Sequence, residues 1–310
     1  MSFYFPPDPE KIISAAESLA EAAVLEKDFL LIGHRLGNFR HYPLNVNRKR
    51  YLKDYRNTSE LMIKSFTEYR LNALELDLRL GPDGMVYVVH DKIKKNIGGE
   101  CLSWLSENSF EKLLVRFIEN GFSADKKLFI ELKLSPKIFH PKKRSFFPDS
   151  VSTSEKKLIE EIFSVLGRII SVYPDRKEEI RKSVGFISFS LAALHSAYAL
   201  SEEIYEYHLI TTTDQFLKKS LSRALFYIPL TSEEKTKIIC SEWLTGIWFD
   251  PRYITDPVRT FLEINEQRRN RLKFYVSSYG MEFSKLPDRF IRENGEKLPL
   301  KGIIFDINDE

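Results

Sequence analysis

Two carboxylates two residues apart, Glu75 and Asp77, lie in the run ALELDLR (73–79), and a third, Glu131, lies in LFIELK (128–133), two residues before Lys133. Side chains of an extended strand alternate sides, so Glu75 and Asp77 share one face and Leu74, Leu76 and Leu78 the other. Three carboxylates brought to one place repel each other and lose hydration, at a cost of several kcal/mol each when uncompensated. A divalent cation removes that penalty. An all-oxygen set of Glu75, Asp77 and Glu131 suits hard Mg²⁺ or Ca²⁺ and leaves coordination sites for water and substrate. Two histidines stand in comparable places. His34-Arg35 closes FLLIGHR (29–35), and His90-Asp91 follows a Gly81-Pro82-Asp83-Gly84 turn and the short run MVYVV. The alternative is a purely structural network in which Arg35, Arg79 and Lys133 pair with the acids.

These residues need a scaffold that gathers strand ends. Eight apolar runs recur along the chain: 29–35, 73–79, 128–133, 184–190, 207–213, 245–250, 272–278 and 301–306. Amphipathic segments such as SELMIKSFTEYRL and SEKKLIEEIFSVLGRIISVY separate most of them. Strands alternating with helices imply crossover connections and a parallel sheet, and eight such units imply a closed (β/α)₈ barrel of the α/β class. A short hairpin is expected after the second strand. Residues 1–28 read as an N-terminal helix covering part of the barrel, because the last strand ends almost at the C-terminus. The expected organisation is one domain over 1–310, with long loops 36–57 and 134–155 on the face where barrel active sites lie. Ser188, Ser190, Asp250, Ser277 and Asp306 also fall at strand ends.

Composition narrows the partners. The 310 residues carry 47 Lys+Arg against 44 Asp+Glu, a net charge of +3, which does not argue for nucleic acid. Cys101 and Cys240 form no CxxC pair, so a disulfide framework or zinc knuckle is not expected. No run is apolar enough to span a bilayer, and Glu10, Glu17, Glu21 and Glu26 argue against a targeting peptide. The expectation is a cytoplasmic protein.

The segments GHR, ELDLRLGPDGMVYVVHD and LFIELK together resemble the signature of the glycerophosphodiester phosphodiesterase family, whose members are TIM barrels. NTSELMIKSF, HDKIKKNIGG, ISFS and GIIFD resemble further parts of that pattern, and the resemblance spans about residues 29–306. The chain departs from it at Leu36, where the family has glycine, at Arg56, where it has Glu, and at YVSSYG in the seventh strand, where it has Trp-Thr. The segment between HR and NT is also longer.

The resemblance implies hydrolysis of a phosphodiester substrate. A metal on Glu75, Asp77 and Glu131 would neutralise phosphate charge, and Arg35 and Lys133 would hold the other oxygens. His34 and His90 would divide the base and acid roles. Ser188, Tyr279 and Asp306 are candidate pocket residues. The other readings are a related barrel with sphingomyelinase D-like or phospholipase C-like lyase chemistry, and a barrel that binds a phosphorylated ligand without turnover. His41, His140, His195 and His208 have no partner pattern and are expected to be structural or exposed. The loops FRHYPLNVNRKRYLKDYR and SPKIFHPKKRSFFP mix basic and aromatic residues and could meet a membrane surface.

Overall fold

The computed structural model describes residues 24–38, 41–133, 151–201, 205–211, 232–249, 257–277 and 298–307. Each of the eight apolar runs holds a strand: β1 (Val24–Asn38), β2 (Ala73–Leu80), β4 (Lys127–Leu132), β5 (Val184–Ser188), β6 (Glu206–Ile210), β7 (Gly246–Phe249), β8 (Lys273–Ser277) and β9 (Pro299–Ile307). They pair in parallel, and β1 closes the ring by pairing with both β2 (Ile32 opposite Ala73) and β9 (Leu31 opposite Ile303). The ninth strand, β3 (Val86–Val88), is the expected hairpin and pairs antiparallel with β2. Its turn needs a left-handed residue, which Gly84 supplies at φ +84°.

Helices cover the ring: α1 (Thr58–Thr67), α2 (Gly99–Glu107), α3 (Phe110–Glu119), α4 (Thr153–Val172), α5 (Lys177–Ser183), α6 (Leu191–Ser201), α7 (Ser232–Cys240) and α8 (Pro257–Gln267). Their starts follow local chemistry. Asn57 caps α1 by accepting the Ser59 and Glu60 amides, and Ser152 with Glu155 forms a reciprocal capping box on α4.

Strand alternation divides the core in two. Leu74, Leu76, Leu128, Ile130 and Phe186 face outward and pack under the helices. Ile32, Ala73, Phe129, Ile187, Trp248, Tyr275 and Ile304 fill the barrel interior. Each buried Leu or Phe contributes about 1.5–3 kcal/mol. Glu75, Asp77 and Glu131 therefore belong, by parity, to the inner face. A third cluster of Val46, Leu52, Tyr87, Val89, Ile93, Cys101 and Leu105 fastens the loop after β1 to the β3 hairpin.

Three boundaries differ from expectation. The N-terminal helix, read as 1–28, cannot reach residue 28, because β1 begins at Val24, where Val24 and Leu25 pair with Pro299 and Leu300. Residues 1–23 lie outside those described. The loop read as 36–57 is shorter, since β1 runs to Asn38, and Lys49–Asp54 forms a 3₁₀ turn within it. In the loop read as 134–155, α4 already begins at Thr153, and 134–150 lie outside the described residues. Among the described residues no helix is long and apolar enough to cross a membrane.

Candidate active site

The backbone at the end of β1 shapes the first wall. Arg35, Leu36 and Gly37 all adopt left-handed φ angles, of +49°, +58° and +87°. For Arg35 and Leu36 this costs on the order of 1–3 kcal/mol each, a strain that surrounding structure must hold. Packing and one hydrogen bond hold it: Leu36 is fully buried under the helices, and the Ser65 hydroxyl donates to the Leu36 carbonyl. The turn sends the Arg35 amide back to donate to Glu75 Oε2 at 2.8 Å.

Glu75, Asp77 and Glu131 meet as the alternation requires, with one oxygen of each lying within 4.8 Å of the others. Glu75 and Asp77 are fully buried and Glu131 nearly so. Two cations stand among them. Lys133 Nζ lies 2.7 Å from Asp77 Oδ1 and 2.8 Å from Glu131 Oε2, and Arg35 Nε lies 3.7 Å from Asp77 Oδ2. Lys133, expected to hold phosphate, thus takes the two acids as its immediate partners. Arg79 Nε donates to the His90 carbonyl at 2.8 Å, and its guanidinium also interacts electrostatically with Asp77 and Glu131. Glu75 receives the Arg35 amide on one oxygen, while its other oxygen, Oε1, is buried without a hydrogen bond.

Electrostatics follow from this inventory. Burial and the neighbouring Asp77 and Glu131 charges push the Glu75 carboxyl well above the usual carboxylate range. Burial raises Glu131 as well, against the opposing pull of Lys133. Asp77 is also desolvated, but Lys133, His90 and Arg35 hold it well below that range. Lys133 and Arg35 lie beside these carboxylates, and Arg79 also interacts electrostatically with Asp77 and Glu131. The unpaired Glu75 oxygen and the hard oxygen donor set fit a divalent cation.

The two histidines flank this cup in matching ways. His34 Nδ1 meets Asp306 Oδ1 at 2.6 Å, which places the proton on Nδ1 and turns Nε2 toward Glu75 Oε2, 3.8 Å away. His90 Nδ1 meets Asp91 Oδ1 at 2.9 Å. Both imidazoles sense Asp77 and Arg35 electrostatically. Burial lowers His34, opposed by Asp306, and burial with the Lys133 charge lowers His90 to about 4.

Of the other candidates, Ser188 is fully buried. It donates to the Leu132 carbonyl at 3.1 Å and accepts the Ser190 amide at 3.1 Å, joining β4 to β5. Ser190 caps α6 by accepting the Ala193 amide. Tyr279, Asp250 and His140 lie outside the described residues. Tyr42, a loop residue without periodicity to mark it, is fully buried beside Asp77. Its hydroxyl accepts the Asp77 amide at 2.8 Å, and the next carbonyls, of Pro43 and Leu44, accept the His90 and Asp91 amides at 3.1 and 2.8 Å. Only an aromatic residue beside a proline marks the place in the sequence.

No family model and no curated protein matches the chain. Among solved structures it is similar to a protein from Silicibacter pomeroyi DSS-3 assigned as a glycerophosphoryl diester phosphodiesterase, at 12% identity and TM-score 0.50, covering 94% of each chain. It is also similar to a glycerophosphodiester phosphodiesterase from Parabacteroides distasonis, at 14% identity and TM-score 0.48, over 90% of this chain and 93% of that one. A phosphodiesterase from Oleispira antarctica, solved with sn-glycerol-3-phosphate, gives 12% identity and TM-score 0.49 over 89% and 92%. At such identities the likeness is one of fold. The first of these agrees with the strand order above: the chain is a (β/α)₈ TIM barrel.

Proposed function

We propose that the chain is a metal-dependent phosphodiesterase of the glycerophosphodiester phosphodiesterase type, releasing glycerol 3-phosphate and an alcohol. One observation carries the reading: three carboxylates converge within 4.8 Å, one oxygen of Glu75 lacks a hydrogen bond, and two Asp-paired histidines interact with the trio, His34 Nε2 lying 3.8 Å from Glu75 and His90 sensing the Asp77 charge. The order HR, ELD, HD and ELK around successive strands, and the fold shared with the Silicibacter protein, support it.

Glu75, Asp77 and Glu131 would hold Mg²⁺ or Ca²⁺. When bound, that ion supplies charge neutralisation at a nonbridging phosphate oxygen. Arg35 and Lys133 bring positive charge to the same cup, where they would face the remaining phosphate oxygens. A neighbouring glycerol hydroxyl would attack phosphorus, one neutral imidazole taking its proton. The alkoxide would leave with a proton from Nε2 of the opposite imidazole, which enters the step protonated on both nitrogens, giving a cyclic phosphate and the free alcohol. Water then opens the ring with the proton roles reversed. Asp306 and Asp91 keep each Nδ1 occupied, so Nε2 is the working nitrogen.

Ser188, whose hydroxyl is engaged between strands on the face it shares with Phe186, is not proposed to bind substrate, and Tyr279 is proposed as a lining residue. We also propose a cytoplasmic setting, with Cys101 and Cys240 as free thiols, a small-molecule diester as substrate, and contact with a membrane surface through the basic loops.

The test is turnover of glycerophosphodiesters with Mg²⁺, with Ca²⁺ and after exhaustive chelation. Glycerol 3-phosphate formed only with metal is the expected result. Full activity after chelation contradicts the metal assignment, and a cyclic phosphate that accumulates as end product moves the chain to the lyase reading.

A further inference from the structure

A second feature lies beside His90, outside the acid cup. Residues 47–56 and 91–100, far apart in sequence, together hold eight Lys and Arg against three Asp and Glu. That is a net +5 in twenty residues, where the whole chain carries only +3. The fold brings the two segments together. The Asn47 side-chain amide donates to the Lys92 carbonyl at 2.9 Å, and its oxygen accepts the Lys94 amide at 2.7 Å. Lys49 reaches across to Glu100. Beneath them Val46, Leu52 and Ile93 are buried in one apolar cluster, so the face is pinned from below. Arg48, Lys49, Lys53, Arg56, Lys92, Lys94 and Lys95 are all exposed.

The stretch just before residues 47–56 helps set the position of His90, through the Pro43 and Leu44 carbonyls that accept the His90 and Asp91 amides. The basic face and one wall of the candidate site are therefore a single unit. A fixed, exposed concentration of positive charge attracts a surface of negative charge. Tyr55 and Trp104, the aromatic side chains described there, pack on each other at 6.0 Å and onto the apolar cluster. They offer no open platform on which bases could stack, the usual partner of charge in binding single-stranded nucleic acid. None of the exposed large apolar side chains among the described residues (Met85, Val172, Leu200) falls in these segments, so the contact would be one of charge, without insertion.

We infer that the face formed by residues 47–56 and 91–100 docks the protein on anionic phospholipid, with the His90 side of the barrel mouth against the bilayer. The inference deepens the phosphodiesterase reading, because lipid breakdown at a bilayer would supply the diester beside the site. Its test does not depend on turnover.

The experiment is co-sedimentation of the full chain with vesicles of phosphatidylcholine alone and of phosphatidylcholine with phosphatidylglycerol. A triple variant, K53E/K94E/K95E, reverses three exposed charges outside the acid cup and its histidines. A control, K156E/K157E/K182E, reverses three exposed charges on α4 and α5. Wild type and control should bind only the anionic vesicles, and less as salt rises. The first variant should lose roughly a hundredfold in partitioning while its circular dichroism and its rate on a water-soluble diester stay unchanged. Equal binding by both variants overturns the inference, as does no preference for anionic vesicles. Duplex or single-stranded DNA that binds more tightly at the same salt and displaces the vesicles also overturns it, and assigns the face to nucleic acid. If no diester is hydrolysed but the vesicle result holds, the docking face stands and the phosphodiesterase reading falls.

Discussion

The two ends of this barrel hold opposite solutions to buried charge. At the mouth, Glu75, Asp77 and Glu131 share Lys133 and Arg35. At the floor a single carboxylate, Glu206, is surrounded by Lys127 at 2.8 Å, Lys273 at 2.7 Å and His208 at 3.5 Å. Burial opposes ionisation of Glu206, but His208, Lys127 and Lys273 hold it well below the usual carboxylate range, although its Oε2 makes no hydrogen bond. At the mouth, burial with like-charged neighbours pushes Glu75 the other way. The strand β4 contributes to both, with Lys127 at one end, Phe129 in the middle, and Glu131 at the other. His208 shows the same contrast with His34 and His90. It is fully buried, accepts the Trp248 indole N–H at 2.8 Å and stacks on Tyr275, so its ring is committed to the core. At the floor the ion pairs hold the fold together, whereas at the mouth the acid trio is proposed to take a cation from outside.

That contrast can be broken at either end. The largest effect is expected for His34→Ala, which removes a proposed acid–base group and should lower kcat about 10²–10⁴-fold in a diester assay, with the melting temperature near wild type. Unchanged turnover would deny the mouth its chemistry. Asp306→Asn should cost about 10–100-fold, because Asn can donate to Nδ1 and so release the proton from it. A pH–rate profile that changes shape separates this positioning role from mere loss of stability. The floor should answer differently. Glu206→Gln leaves Lys127 and Lys273 facing a neutral group and should destabilise by about 1–3 kcal/mol in urea, with kcat unchanged. The sign with pH follows from its lowered pKa: the stabilisation by ionised Glu206 is present above its ordinary 4.5 and fades as pH falls below it. The gap between wild type and Glu206→Gln should close in acid. A gap that widens there would overturn the floor as an ionic plug.

Much of this was legible in the sequence, because strand periodicity is local. Runs such as ALELDLR and LFIELK place the carboxylates opposite the leucines, and eight runs place them inside one ring. The pairing of Asp306 with His34 was not legible, because 272 residues separate them and only the closure of β9 on β1 joins their strands. Tyr42 escaped notice for a similar reason, since its contact with Asp77 is a hydrogen bond to backbone from a loop without periodicity. The floor cluster was hidden because Lys127, Glu206 and Lys273 each look like ordinary charged residues at the start of a strand. The start of β1 at Val24 is set by pairing with Pro299 and Leu300, against the helical spacing that precedes it.

The most direct test is calorimetric titration of the metal-stripped chain with Mg²⁺ and with Ca²⁺, beside Glu75→Gln and Glu206→Gln. One saturable site per chain, lost in Glu75→Gln and kept in Glu206→Gln, is the result expected of a mouth that takes a cation and a floor that does not. Saturable binding that survives in Glu75→Gln, or none in the wild type with either ion, would contradict it.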